Sequence, residues 1–269
     1  GFENAEKEIV KLKNTYNTVN MPYTDDDLLL FRGESEIYAN IVTDVPASNK
    51  TITFNFTACI DGDSNNYATV DIGNQIWMAE NLKYLPSVVG PTIESRTQPY
   101  YYVYDYYGTN VTEAKATYNY DTYGVLYNWA AAMAGFPASV TNPSGVQGIC
   151  PSGWHLPSDA EWTQLVDFAG GESIAGGKLK ATILFNFPNT GATDDYGFRV
   201  LPHGTRRGSG ITALTHNVFD YINIGGSFWY CADYDAIGSW YRGFGHNHTE
   251  AVRSRYYKED AFAVRCVKN

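Results

Sequence analysis

Cys150-Pro-Ser-Gly-Trp-His-Leu-Pro-Ser-Asp-Ala-Glu-Trp162 carries the sharpest local signal in the chain. Ser158 and Glu161 form an S-x-x-E capping box, whose side chains satisfy backbone N–H groups that an opening helix leaves without partners. Trp162, Leu165, Val166 and Ala169 then recur at i, i+3, i+4 and i+7, which predicts one apolar helical stripe. Gly170-Gly171 ends it, and a second short helix is expected from Ile174 to about Ala181. Downstream, β-like pieces near 197–201, 226–231, 238–244, 250–257 and 261–267 are separated by Gly, Asn and Asp. Upstream, Tyr67-Ala-Thr-Val-Asp-Ile, Gly73-Asn74 and Gln75-Ile-Trp-Met read as strand, turn and strand. Helices in the middle and a meander at the end predict an α+β fold, not alternating βαβ units.

Working outward, residues 3–19 are expected to form a helix, with Ala5, Ile9, Leu12 and Tyr16 on one face. Strands are expected at 28–31, 36–43 and 51–58, the last from its period-two alternation. The chain therefore divides into a small helix-plus-strands N-terminal segment, 1–57, and a larger unit, 58–269. Asp61, Asp63 and Asn65 imitate the opening of a calcium loop, but Ile72 falls where the bidentate acid belongs and Asn66 where glycine belongs, so an EF-hand is rejected. The Gly1-Phe2 start, without Met or an apolar leader, reads as a trimmed mature form.

Of 269 residues, 44% are hydrophobic and 18% charged, a composition that supports a packed core. No run approaches the ~18 apolar residues of a membrane span. The net charge of −10 argues against a protein whose main task is gripping nucleic-acid phosphates. Charge is uneven: residues 199–269 hold nine basic and six acidic side chains, seven of the basic ones being Arg199, Arg206, Arg207, Arg242, Arg253, Arg255 and Arg265. They are either strand residues answering acids elsewhere, or a face offering planar donor forks to an anionic or polyhydroxyl ligand. Tyrosine is over-represented at 22 residues, concentrated in Pro99-Tyr-Tyr-Tyr-Val-Tyr-Asp-Tyr-Tyr107. This run is either a half-buried strand or a stacking platform.

Beyond these local signals, a series of blocks resembles the Fibrobacter succinogenes major paralogous domain family. In order they are Ile72-Gly-Asn-Gln-Ile-Trp-Met-Ala-Glu-Asn-Leu82, Tyr123-Gly-Val-Leu-Tyr-Asn-Trp129, the Cys150–Trp162 stretch, Ala175-Gly-Gly-Lys-Leu-Lys180, Asn189-Thr-Gly-Ala-Thr193, Gly197-Phe198, Leu201-Pro202 and Phe262-Ala-Val-Arg-Cys-Val267. The resemblance covers about residues 58–269. It implies a C-type lectin-like domain with two short helices and a mostly antiparallel sheet. It also implies secreted or cell-surface proteins, often outer-membrane lipoproteins, of Bacteroidetes-like bacteria. Trp77, Trp129 and Trp154 are expected in the core. Lectin-like folds bring the chain ends together, so the resemblance further implies a Cys150–Cys266 disulfide. Cys59 and Cys231 are left either to pair with each other or to remain buried thiols; Cys231 stands where the family commonly shows a small hydroxyl residue.

No G-x-S-x-G elbow, Walker loop or H-E-x-x-H is present. Asp194-Asp195 reads as a turn, because neighbours on a strand point apart. His155 is expected to serve a structural hydrogen bond, and His246-Asn-His248 reads as loop residues, with no metal or cofactor assigned. The expectation is a non-catalytic surface module that binds a glycan or protein ligand. Trp240, Tyr241, Arg242, His246, His248, Arg253, Arg255 and Tyr256 are the candidate contacts, combining rings with donor forks. A structural role in an adhesin or fimbria-like assembly, and a hydrolase acting on polysaccharide, are the alternatives.

Overall fold

The computed structural model describes residues 23–209 and 218–269, and the expected helix at 3–19 lies outside them. The described residues form a sheet-rich α+β protein. In chain order come β1 (Leu29–Ser35), β2 (Tyr38–Asp44), β3 (Ala68–Ile72), β4 (Gln75–Met78), β5 (Tyr101–Tyr102), α1 (Val111–Lys115), α2 (Tyr118–Tyr123), β6 (Leu126–Asn128), α3 (Trp129–Met133) and β7 (Trp154–His155). Then follow α4 (Asp159–Phe168), α5 (Glu172–Leu179), β8 (His203–Arg207), β9 (Val218–Ile222), β10 (Gly225–Asp233), β11 (Gly238–Gly245), β12 (Ala251–Tyr257), β13 (Ala261–Phe262) and β14 (Val267–Lys268). One sheet has the order β1-β2-β3-β4-β14-β7, and a second runs β12-β11-β10-β8-β13-β6-β5 with β9 on β8. Most pairs are antiparallel; β2 with β3 and β10 with β8 are parallel.

The capping box forms as its sequence requires: Ser158 accepts from the Glu161 N–H, and Glu161 accepts from the Ser158 N–H. The stripe it launches is buried in full, and Trp162 lies 4.9 Å from Trp77, 5.5 Å from Phe228 and 6.0 Å from Phe198. This aromatic cluster holds the six-stranded sheet against α4 and the inner face of β10 and β11. A second core gathers Trp154, Trp229, Tyr127 and Phe262 around the covalent link. That link is Cys150–Cys266, with Cα atoms 5.9 Å apart. Beside it β14 pairs with β7, so the chain's last strand returns to the Cys150–Trp154 stretch. Cys59 and Cys231 remain separate buried thiols.

Four expectations change. Five helices stand among the described residues instead of two. The additional α1, α2 and α3 are only five or six residues long, too short for an apolar stripe, and depend on Asn110, Thr117 and Asn128 as N-caps. Residues 51–58 make no ladder. The extended segment crosses the face of the sheet instead of joining the open edge of β1, with the Phe54 ring on Gly33 and Asn55 reaching Asp71 at 3.3 Å. Its alternation comes from extended backbone, not pairing. Residues 197–201 give only the bridge between Lys180 and Val200, because positive φ at Gly197 and Arg199 interrupts the strand. The tyrosine run likewise pairs only at Tyr101–Tyr102 before Asp105, at φ 60, turns it away.

The N-terminal hairpin β1–β2 joins the larger unit through β3, in register Ala39 with Ala68 and Ile41 with Val70. Ala39 and Ile41 are buried in the same core as Trp77.

Candidate functional site

Strand periodicity sorts the candidate contacts before any ligand is considered. On β11, Trp240 and Arg242 share one face and Tyr241 takes the other. Trp240 lies opposite Arg255 and diagonal to Arg253 on β12. The Arg253 guanidinium lies 3.7 Å from the centroid of the Trp240 ring. Its Nε and Nη2 donate to both oxygens of Asp159, at 2.7 and 2.9 Å. That bidentate bond is the main reason the arginine's pKa is raised. Asp159 is the first residue of α4, so the capping box that starts the helix also aims the carboxylate at Arg253.

The aromatic edge continues through Tyr234, whose ring meets Trp240 edge-on at 5.0 Å and lies under Arg255 at 4.2 Å. Asp235 is 3.7 Å from Arg255, and N–H donation by Ile237 and Gly238 holds its carboxyl below the usual range. Next to Trp240 a cleft of about 390 Å³ opens between α4 and the start of β11, bordered by Asn142, Asp159, Thr163, Gln164, Asp233 and Arg253. Asp233 is ion-paired with Lys258 at 2.5 Å, and Lys258 lies 4.3 Å over the Trp129 ring. The cleft thus combines a half-buried indole with planar amide, carboxylate and guanidinium groups, the chemistry that hydrogen-bonds hydroxyls around a stacked ring.

Only Trp240, Arg253 and Arg255 of the candidate residues meet here. Arg242 faces the same way but is buried, donating to the Ala251 carbonyl at 2.9 Å and to Glu172 at 3.2 Å, with Tyr230 beneath it at 5.7 Å. Tyr241 and Tyr256 point to the opposite face and pack on Phe262 at 5.1 and 5.6 Å. The Tyr256 hydroxyl accepts from Arg207 at 2.7 Å. His246 and His248 stand beyond the far end of β11, roughly 20 Å of strand from Trp240. There His246 pairs with the Phe187 carbonyl at 3.2 Å, while His248 lies against Gly245. Lys180 clamps that turn, donating to the carbonyls of Thr190, Gly245 and His248 at 2.8–3.0 Å. Burial pulls this lysine down to about 8.

Asp159, Gln164 and Asn142 line the cleft and Tyr234 packs on Trp240, and none of the four was a candidate from sequence. Asp159 carries a signal, as an acid in the capping box, but that signal speaks of the helix. The approach of α4 to β12 is what gives it a partner.

Neither the curated proteins nor the solved structures include a match to this chain. The model of the Fibrobacter succinogenes major domain matches residues 70–268, a span that holds the capping box, the disulfide and the Trp240 cleft. The chain belongs to the Fibrobacter succinogenes major domain family.

Proposed function

We propose that this protein is a non-catalytic binding module of the cell surface or extracellular space, and that it takes a glycan in the Trp240 cleft. The observation that carries the reading is the Trp240–Arg253–Asp159 stack. It holds an aromatic ring and a guanidinium fork rigid at the mouth of a cleft, so little ordering entropy remains to oppose binding. Neutral sugars suit it: Trp240 lines the cleft with an apolar ring that Arg253 covers on one face, and Asn142, Thr163 and Gln164 supply donors and acceptors. Both cleft carboxylates are engaged, Asp159 by Arg253 and Asp233 by Lys258. This supports binding over hydrolysis, which would need a free acid and base about 5–10 Å apart.

The Cys150–Cys266 disulfide supports a location outside the reducing cytoplasm, and a surface lipoprotein is the form we propose. A C-type lectin-like fold accords with the paired chain end, this disulfide and the two central helices α4 and α5.

A second reading, a structural component of an adhesin, draws on β1. This strand is the outer member of its sheet, with Leu28, Leu30 and Ile37 exposed around it. Such an edge can accept a partner strand.

Glycan-array screening followed by calorimetry tests the proposal. Wild type is expected to bind at least one glycan saturably, and Trp240→Ala is expected to weaken that by about tenfold or more, given about 1–3 kcal/mol for a stacked ring. No glycan above background, or equal binding by the variant, overturns it. A surface protein captured through the same cleft identifies the alternative ligand class.

A further inference from the structure

The turn from Asp194 to Arg199 holds a side chain in a backbone conformation that ordinary residues avoid. Asp194 has φ 52, Gly197 φ 69 and Arg199 φ 52. Glycine adopts such angles without penalty; arginine does not, and persists there only when its surroundings fix it. Here they do. The Arg199 N–H donates to the buried carboxylate of Asp194 at 2.8 Å, and its carbonyl accepts from buried Arg265 at 2.9 Å. Arg265 also bonds the Phe198 carbonyl and Asn81. A residue clamped from both sides in a strained conformation is a hypothesis of function.

Arg199 borders a cavity of about 170 Å³ that shares no lining residue with the Trp240 cleft. The hairpin β1–β2, residues 79–83 after β4, and the end of α2 form its other walls. Five charged residues line it. Arg32 is shared between Glu80 at 3.0 Å and Glu34 at 2.9 Å. Lys83 stands 3.7 Å from Asp121, whose side chain is 87% exposed, so that pairing is weak. Among the described residues, no hydrogen bond or ion pair holds the Arg199 guanidinium. Behind it, the buried Asp194 carboxyl is pushed up by burial but held back by the field of Arg199, and Arg265 is a second cation within electrostatic reach. In a chain of net charge −10, three of the five charged residues around this concavity are basic, and the Arg199 guanidinium is the one without a bonded partner among the described residues.

We infer that this cavity is a second binding site, in which the Arg199 fork, assisted by Lys83, takes a single carboxylate group. The geometry favours a carboxylate because a planar guanidinium matches two carboxylate oxygens. A cavity of about 170 Å³ suits a carboxylate carried on an acidic sugar residue or a small carboxylic acid.

Calorimetry on the intact chain at low salt, with galacturonate, succinate and neutral galactose, tests this. Saturable binding of galacturonate alone supports the site with an acidic sugar as source. Similar binding of both acids supports it with small carboxylates as source. Galactose is expected to give no signal at this site, and added salt to weaken the acids. Arg199→Gly removes the fork while relieving the backbone. It is expected to lose binding about tenfold or more, with a melting temperature at or above wild type. Lys83→Met, which leaves the turn intact, is expected to weaken binding by a smaller factor. Binding unchanged in Arg199→Gly, no saturable heat with either acid, or tighter binding of sulfate than of both acids overturns the inference. A large fall in melting temperature of Arg199→Gly overturns it too, because the arginine is then structural.

Discussion

His155 shows at residue scale how a buried charge is accommodated. Its Nε2 lies 2.5 Å from Glu161 and its Nδ1 2.7 Å from the Asn269 side chain. Burial works against the histidine's charge, but the bond and field of Glu161 outweigh it, and the pKa is raised. Burial likewise pushes Glu161 up, yet the His155 and Ser158 bonds outweigh it, and the carboxyl is lowered. The sign follows for each partner. The histidine's contribution is complete below its ordinary value near 6.5 and fades as pH rises through the raised one. The glutamate's is complete above about 4.5 and fades as pH falls through the lowered one. Asp194 and Asp260, both pushed up to about 7 by burial, add their own loss of stability as pH rises from about 4 to 7. The expected observable is therefore a difference. In urea titrations, wild type exceeds His155→Gln by about 3 kcal/mol between about pH 4.5 and 6.5, and the gap narrows on either side. A gap independent of pH refutes the ion pair. The sequence foresaw a structural hydrogen bond at His155, since it sits three residues before the cap, but not its partner at the chain end.

Among the elements, α5 shows packing overruling propensity. Gly176 and Gly177 are poor helix formers, and replacing a helical glycine by alanine ordinarily gains about 1 kcal/mol. A Cβ at Gly176 would stand 2.1 Å from the Glu250 carbonyl oxygen, and one at Gly177 2.5 Å from that of Gly191. Both contacts are backbone and cannot swing aside. Gly176→Ala is therefore expected to destabilise by about 2 kcal/mol or more, as overpacking does, read as a lower denaturation midpoint. A variant as stable as wild type would show that the turn before β12 shifts freely. The same element scale explains what was legible. α4 announced itself through its cap and a stripe long enough to count. α1, α2 and α3 had caps without stripes, and residues 51–58 had a strand-like alternation but cross the face of the sheet instead of joining it.

For the whole molecule the decisive closure is covalent. Cys150 and Cys266 are 116 residues apart in sequence. Closing a loop of that length restricts the unfolded chain by about 4–5 kcal/mol of conformational entropy. Cys150→Ala/Cys266→Ala is expected to lose about that much, with the same drop on adding reductant to wild type. Equal midpoints for oxidised and reduced protein would sink this account. Cys59 and Cys231 are buried, and desolvation raises both thiols, that of Cys231 to about 11, so neither is expected to label in the folded state.

Amino-acid order alone specified the short-range features of this protein. The S-x-x-E box and its stripe, the Gly73-Asn74 hairpin and the family blocks each depend on residues within a few positions, where backbone geometry leaves few options. Tertiary structure decided which side chains are free to act. Trp240, Arg253 and Asp159 form one stack because α4 and β12 meet, while Arg242 donates to the Ala251 carbonyl and the Tyr256 hydroxyl accepts from Arg207 instead. A strand's alternation says which residues share a face, but not what lies against that face. That depends on contacts between segments 80 or more residues apart, such as Arg253 with Asp159 and Arg265 with Asn81, which no local pattern encodes.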